Sequence, residues 1–170
     1  MTQAAMTAFA EVCVTKFGDQ AAMDAWLRLH PFSPAAPQAA QQLAMGKPGH
    51  VWLSTEPKLP LAVITRASGD VLCQVMAPTA EPELAAKLFS DTLLARSRPD
   101  GAGAAGIEAR KDQDEEVTLG QRRGRRVFIR LGRKPVDVNG GLLLALTAAP
   151  PQPGGVALLM TASRAAPVSR

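Results

Sequence analysis

The chain has 170 residues, 46% of them apolar, and a formal net charge of +4. That length suits one domain burying roughly 70% of its unfolded surface, so the fold needs neither a metal nor a dense set of cross-links. Aromatics make up only 4% and tyrosine is absent, which argues against an aromatic platform for single-stranded nucleic acid or sugars.

Residues 3–17 carry Met6, Phe9, Cys13 and Phe17 at spacings of three and four, the stripe of an amphipathic helix. Gly18 stands at its C′ position, and Asp19 at the N-cap of a second helix from Gln20 to Leu29. That helix turns Met23, Trp26 and Leu27 inward, and Pro31 ends it. Three prolines make 31–37 a connector, and a short helix from Gln38 to Met45 leads into the turn Gly46-Lys47-Pro48-Gly49. Three strands follow: His50 to Ser54, Leu61 to Arg66 and Val71 to Met76, the last two joined by the turn Ser68-Gly69-Asp70. Their short connections predict an antiparallel meander, with Val51 and Leu53 on one face and Trp52 on the other.

A helix over Glu83 to Arg96 turns Leu84, Leu88, Leu93 and Leu94 inward, with acids in its first turn as the helix dipole favours. The Gly/Ala-rich stretch 97–106 reads as a flexible loop. Strand character returns at Ile107 to Arg110, Glu116 to Gln121, Arg125 to Leu131, Gly141 to Thr147 and Val156 to Ala162. The last two are nearly continuous apolar runs, which places them centrally. The fold class is therefore α+β. A single domain over 1–164 has an antiparallel sheet packed against N-terminal helices and one central helix, and 165–170 form a flexible tail. No apolar run is long enough for a membrane span, and no basic segment followed by an apolar core marks a signal peptide at the N-terminus.

Cys13 falls on the apolar face of the first helix and Cys73 in the middle of a strand. Two structural readings stay open for them, a disulfide that pins the helices to the sheet or two inert core thiols. A catalytic thiol needs a base beside it, and nothing ties His30 or His50 to either cysteine. The stretch 101–106 matches G-x-G-x-x-G, but a helix precedes it and a charged strand follows, the reverse of a pyrophosphate-binding turn. Asp24 and Asp70 read as surface and turn residues, and Trp26 and Trp52 as packing. No residue set is expected to hold a metal or a cofactor.

The surface signal is a basic cluster: Arg122, Arg123, Arg125, Arg126, Arg130, Arg133 and Lys134, directly after the acidic Asp112, Asp114, Glu115 and Glu116. Alternation puts Arg126, Phe128 and Arg130 on one face and Val127, Ile129 and Leu131 on the other. Two readings follow. The acids pair with the arginines across a hairpin turning through Gly124, or the arginines meet an anionic partner, a protein more readily than nucleic acid.

Phe9-Ala10-Glu11-Val12-Cys13, Gly49-His50-Val51-Trp52, Cys73-Gln74-Val75 and the late run Gly140 to Thr147 together resemble the NMCC_0638-like family of small exported proteobacterial proteins of unknown function. The resemblance covers about residues 5–150. It implies an exported protein with paired cysteines, and no catalytic residue. The leading expectation is a non-enzymatic periplasmic or secreted interaction protein of accessory, inhibitor or immunity type, binding an acidic protein through the basic strand. The alternative is a cytoplasmic regulatory module that binds nucleic acid or nucleotide through the same arginines.

Overall fold

Among the described residues, segments with helical and with two-residue apolar periods form thirteen elements. The computed structural model describes residues 1–66, 71–95, 107–133 and 141–164, and of Arg133 only the backbone. The turn at 68–70, the loop and glycine motif at 97–106, Lys134 and the tail at 165–170 lie outside the described residues. Helix α1 (Thr2–Ala8) runs directly into a π-helical segment, Phe9–Thr15. Then come α2 (Gln20–Leu29), β1 (Phe32–Pro34), α3 (Pro37–Leu43), β2 (His50–Ser54), β3 (Ala62–Arg66), β4 (Leu72–Ala77) and α4 (Pro82–Leu94). Strands β5 (Ile107–Leu119), β6 (Arg122–Arg133), β7 (Leu142–Ala148) and β8 (Leu158–Arg164) complete an α+β domain.

All eight strands form one antiparallel sheet in the order β1-β2-β3-β4-β8-β7-β6-β5. Two four-stranded meanders thus join where β4 meets β8, with Val75 opposite Met160. The apolar runs β7 and β8 are central, as their composition predicts. The inner face carries Val63, Cys73, Val75, Met160, Leu144, Leu146, Val127 and Ile129, each at 0% exposure. Helices α1, α2, α4 and the π segment cover that face, and Phe9 meets Phe89 of α4 at a ring separation of 5.7 Å. Helix α3 lies on the outer face, where Ala44 joins Val51 and Ile64 in a small second core.

Cys13 and Cys73 form a disulfide, with Cα atoms 5.1 Å apart. It ties the π segment to β4. The π segment explains how Cys13 arrives there. Its wider turn sends Phe9, Ala10, Val12, Cys13 and Val14 all into the core, more than a regular helical stripe would bury. Phe17, expected on that stripe, is only half-buried at the core's edge. Asp19 caps α2 as predicted, accepting from the Ala22 amide at 3.0 Å.

Four expectations are corrected. Phe32–Pro34, read as connector, is an edge strand on β2, where a proline costs little because its missing donor faces outward. The two strands expected at 107–110 and 116–121 are one strand, β5, interrupted by a bulge between Lys111 and Gln113. The hairpin turns at Gly120, at a φ of 65°, and not at Gly124. Gly124 sits inside β6, directly over the Ala148 carbonyl, where any side chain would collide. In α4 the inward face is Ala85, Ala86, Phe89 and Leu93, while Leu84 is 42% exposed. The alanines let α4 approach the sheet closely enough for Phe89 to reach Phe9.

Two outcomes test this frame. Replacing both cysteines by alanine should lower unfolding free energy by about 4 kcal/mol, since the bond closes a long loop in the unfolded chain. Urea titration measures it, and an unchanged midpoint would contradict the bond's role. Phe89→Ala should cost about 3–5 kcal/mol, whereas Leu84→Ala should stay within about 0.5 kcal/mol. Equal costs at the two positions would put the α4 face back where the leucine pattern had it.

Candidate functional site

Strand alternation divides the basic cluster between two faces. Arg122, Arg126 and Arg130 share the outer face with Phe128, while Arg123 and Arg125 belong to the face carrying Val127 and Ile129. The six arginines named in the cluster up to Arg133 are therefore not one patch. Most have partners on the hairpin itself. Arg122 donates to the Pro150 carbonyl at 2.6 Å. Arg123 lies 3.7 Å from Glu116, and Arg126 lies 4.0 Å from Glu115. Arg125 pairs with Asp114 and stands 3.8 Å from Glu83 on α4. The Arg133 side chain is outside the described residues.

The β5 bulge has an electrostatic purpose. Arg110 and Arg130 face each other across the strands, a like-charge pairing that is unfavourable on its own. Asp112, the extra residue, accepts from Arg110 at 2.8 Å and from Arg130 as well. Partial burial pulls the Asp112 carboxyl upward, but hydrogen bonds and charge from both arginines outweigh it and hold it below its ordinary 3.8. Asp114 follows the same balance, held low by Lys111 and Arg125 against its own desolvation. These are mostly exposed pairs, each worth little individually. The hairpin still carries eight cations against five acids.

Arg126 and Arg130 flank an open surface. On the outer face Phe128, Leu143, Ala145, Thr147, Leu159 and Thr161 lie side by side in register and are half-buried. Helix α3 packs at the β2–β3 end of this face, against Val51, Ile64 and Met76. An antiparallel sheet with one face wet normally carries polar residues there, so the apolar content of this stretch is unusual.

A second polar cluster was not visible in the sequence pattern. Asp24, expected at the surface, is 9% exposed and its Oδ2 lies 2.7 Å from His50 Nδ1. Gln20 Nε2 donates to Asp24 Oδ1 at 2.8 Å and to Thr65 Oγ1 at 2.7 Å. The pattern puts a carboxylate on the inward side of α2 because a hydrogen-bonding set on β2 and β3 waits for it. Its members tie helix to sheet, and Thr65, at 0% exposure, is closed to substrate. His30, the other histidine, stacks on Trp26 with ring centroids 3.6 Å apart. Cys13 and Cys73 are fully buried, and a bonded cysteine is no nucleophile. Among the described residues no helix is long and apolar enough to cross a membrane.

Comparison with protein-family models finds no matching family, and comparison with curated proteins finds no match. The arginines, the open face and the polar cluster therefore stand on their own geometry.

Because Asp112 and Asp114 titrate below their ordinary value when folded, their contribution to stability is fully present above about pH 5 and is lost as pH falls through the folded values, below 3.8. Unfolding measured from pH 6 down to pH 2.5 should show this loss, and Asp112→Asn should flatten the curve. A variant curve that parallels the native one would remove Asp112 from the account.

Proposed function

We propose that this protein is an exported, non-enzymatic interaction protein, of accessory, inhibitor or immunity type, that binds an acidic protein partner through the outer sheet face around β6. The observation that supports this most directly is the half-buried apolar stretch of Phe128, Leu143, Ala145 and Leu159 bordered by Arg126 and Arg130. An apolar centre with a charged rim is the anatomy of a protein-binding patch. The Arg126–Glu115 pair is long and open to solvent, so a partner's carboxylate replaces Glu115 at Arg126 with little loss. The disulfide supports export, since such bonds persist in oxidising compartments and are rare in the cytosol. The nucleic-acid alternative loses ground because the arginines are split between two faces and matched with carboxylates, leaving no continuous track for a phosphate backbone.

Arg126→Glu with Arg130→Glu, and separately Phe128→Asp, should each abolish capture of a specific protein from periplasmic extract while leaving the circular dichroism spectrum native. Capture that survives both variants would count against the face. So would variants that change only the self-association of the purified chain in sedimentation.

A further inference from the structure

A separate cavity of about 500 Å³ opens at the far end of the outer face, between the C-terminal end of α3 and the ends of β3, β4 and β8. Its floor holds Arg66, which is only 8% exposed. Among the described residues this guanidinium has a single polar contact, Nη2 donating to the Ala44 carbonyl at 3.3 Å. Its Nε is buried without any hydrogen-bond partner. A guanidinium does not shed its charge on burial, so desolvation without an anion is costly. Lys47 and Arg164 stand at the mouth, both exposed, and among the described residues the cavity lining includes Gln74 and Ser163 and no carboxylate.

The surroundings hold Arg66 in this position. It faces Leu72 across β3–β4, and Leu72 in turn faces Ser163 on β8, which puts the three in one row on the outer face. Ala44 is the residue that ends α3, and its carbonyl also accepts from the Lys47 amide at 3.1 Å. Lys47 is thereby placed by the same carbonyl that anchors Arg66. Gly49 leaves room for the arginine stem: a Cβ there would stand 2.9 Å from Arg66 Cγ. Next to the cavity, Met45 adopts a φ of 52°, a left-handed conformation that side chains other than glycine rarely take.

We propose that this cavity is a phosphate-binding site, taking the phosphate of a small monoester whose apolar body lies on Leu72. Three cations, with no carboxylate among the described lining residues, favour a dianion over a singly charged carboxylate. The Arg66 guanidinium, with one hydrogen bond of its own, donates from the cavity floor to one phosphate oxygen. Lys47 and Arg164 supply charge from the rim, and Gln74 and Ser163 offer neutral donors beside it. The size is that of an ordinary small-molecule pocket. The site is distinct from the face around Phe128, and it stands or falls independently of protein binding there.

The test is amide-resolved NMR titration of the full chain with inorganic phosphate, with phenyl phosphate, and with acetate, each against sodium chloride at matched ionic strength. Phosphate should give saturable shifts centred on residues 47, 66, 74 and 163, and phenyl phosphate should bind more tightly than inorganic phosphate. Lys47→Glu with Arg164→Glu, at exposed positions that leave the fold intact, should weaken both by at least roughly tenfold. Arg66→Lys, which keeps a charge but loses the guanidinium fork, should weaken them further than either rim change alone. Phosphate shifts no larger than those of chloride would overturn the proposal, as would native affinity in the rim variant. Acetate binding as tightly as phosphate would overturn the dianion assignment, and inorganic phosphate binding as tightly as phenyl phosphate would overturn the ester one.

Discussion

The pairing of β4 with β8 is the constraint on which the rest of the structure depends. It unites two meanders that are otherwise local, each built from neighbours in sequence. Only when Cys73, Val75 and Ala77 lie beside Ala162, Met160 and Leu158 does the inner face become one apolar surface wide enough for the helices. The disulfide acts on the same strand. By bonding Cys13 to β4 at this seam it fixes the π segment over the junction, and Phe9 then meets Phe89 from the helix that connects the two halves. Hydrophobic burial supplies the driving force and the bond removes freedom from the unfolded chain.

The sheet's two edges are treated differently. At one end β1 is three residues long and contains Pro34, which makes a poor template for another strand. At the other end β5 is long, and its row of Arg110, Lys111, Asp112, Asp114, Glu115 and Glu116 guards it with charge of both signs. The same charges restrain the arginines of β6. A sequence that looks like a cation-rich docking strand is, for much of its length, an internally compensated hairpin. What remains available for a partner is the apolar stretch beside Arg126 and Arg130.

Much of the fold was legible in the sequence where local chemistry decides it. Helix α2 has the predicted limits because Asp19 and Pro31 bracket it, and β2 because the Gly-Lys-Pro-Gly turn sets its start. The central place of β7 and β8 followed from their unbroken apolar composition. The disulfide was one of two readings, since spacing alone cannot bring Cys13 to Cys73. Features decided by tertiary contact were missed. The leucine pattern of α4 pointed to Leu84, but the close approach allowed by Ala85 and Ala86 selects a different face. Asp24 looked solvated because the cluster it joins draws on three elements: Gln20 of its own helix, His50 of β2 and, through Gln20, Thr65 of β3. Arg66 ended a strand pattern, and nothing local tells that α3 folds back over it. The one hint was the charge closing an otherwise apolar run, Ala62-Val63-Ile64-Thr65.

The β4–β8 seam also bears on how the chain is made. Ala77 and its partner Leu158 are separated by roughly 80 residues, so β4 leaves the ribosome long before the strand that covers its edge exists. During that interval its backbone donors and acceptors are bare and its inner face is apolar, the state most prone to mispairing with another chain. Closure of the sheet therefore waits for β8. A polypeptide whose sheet stays open until β8 arrives places its greatest demand on chaperones during that interval.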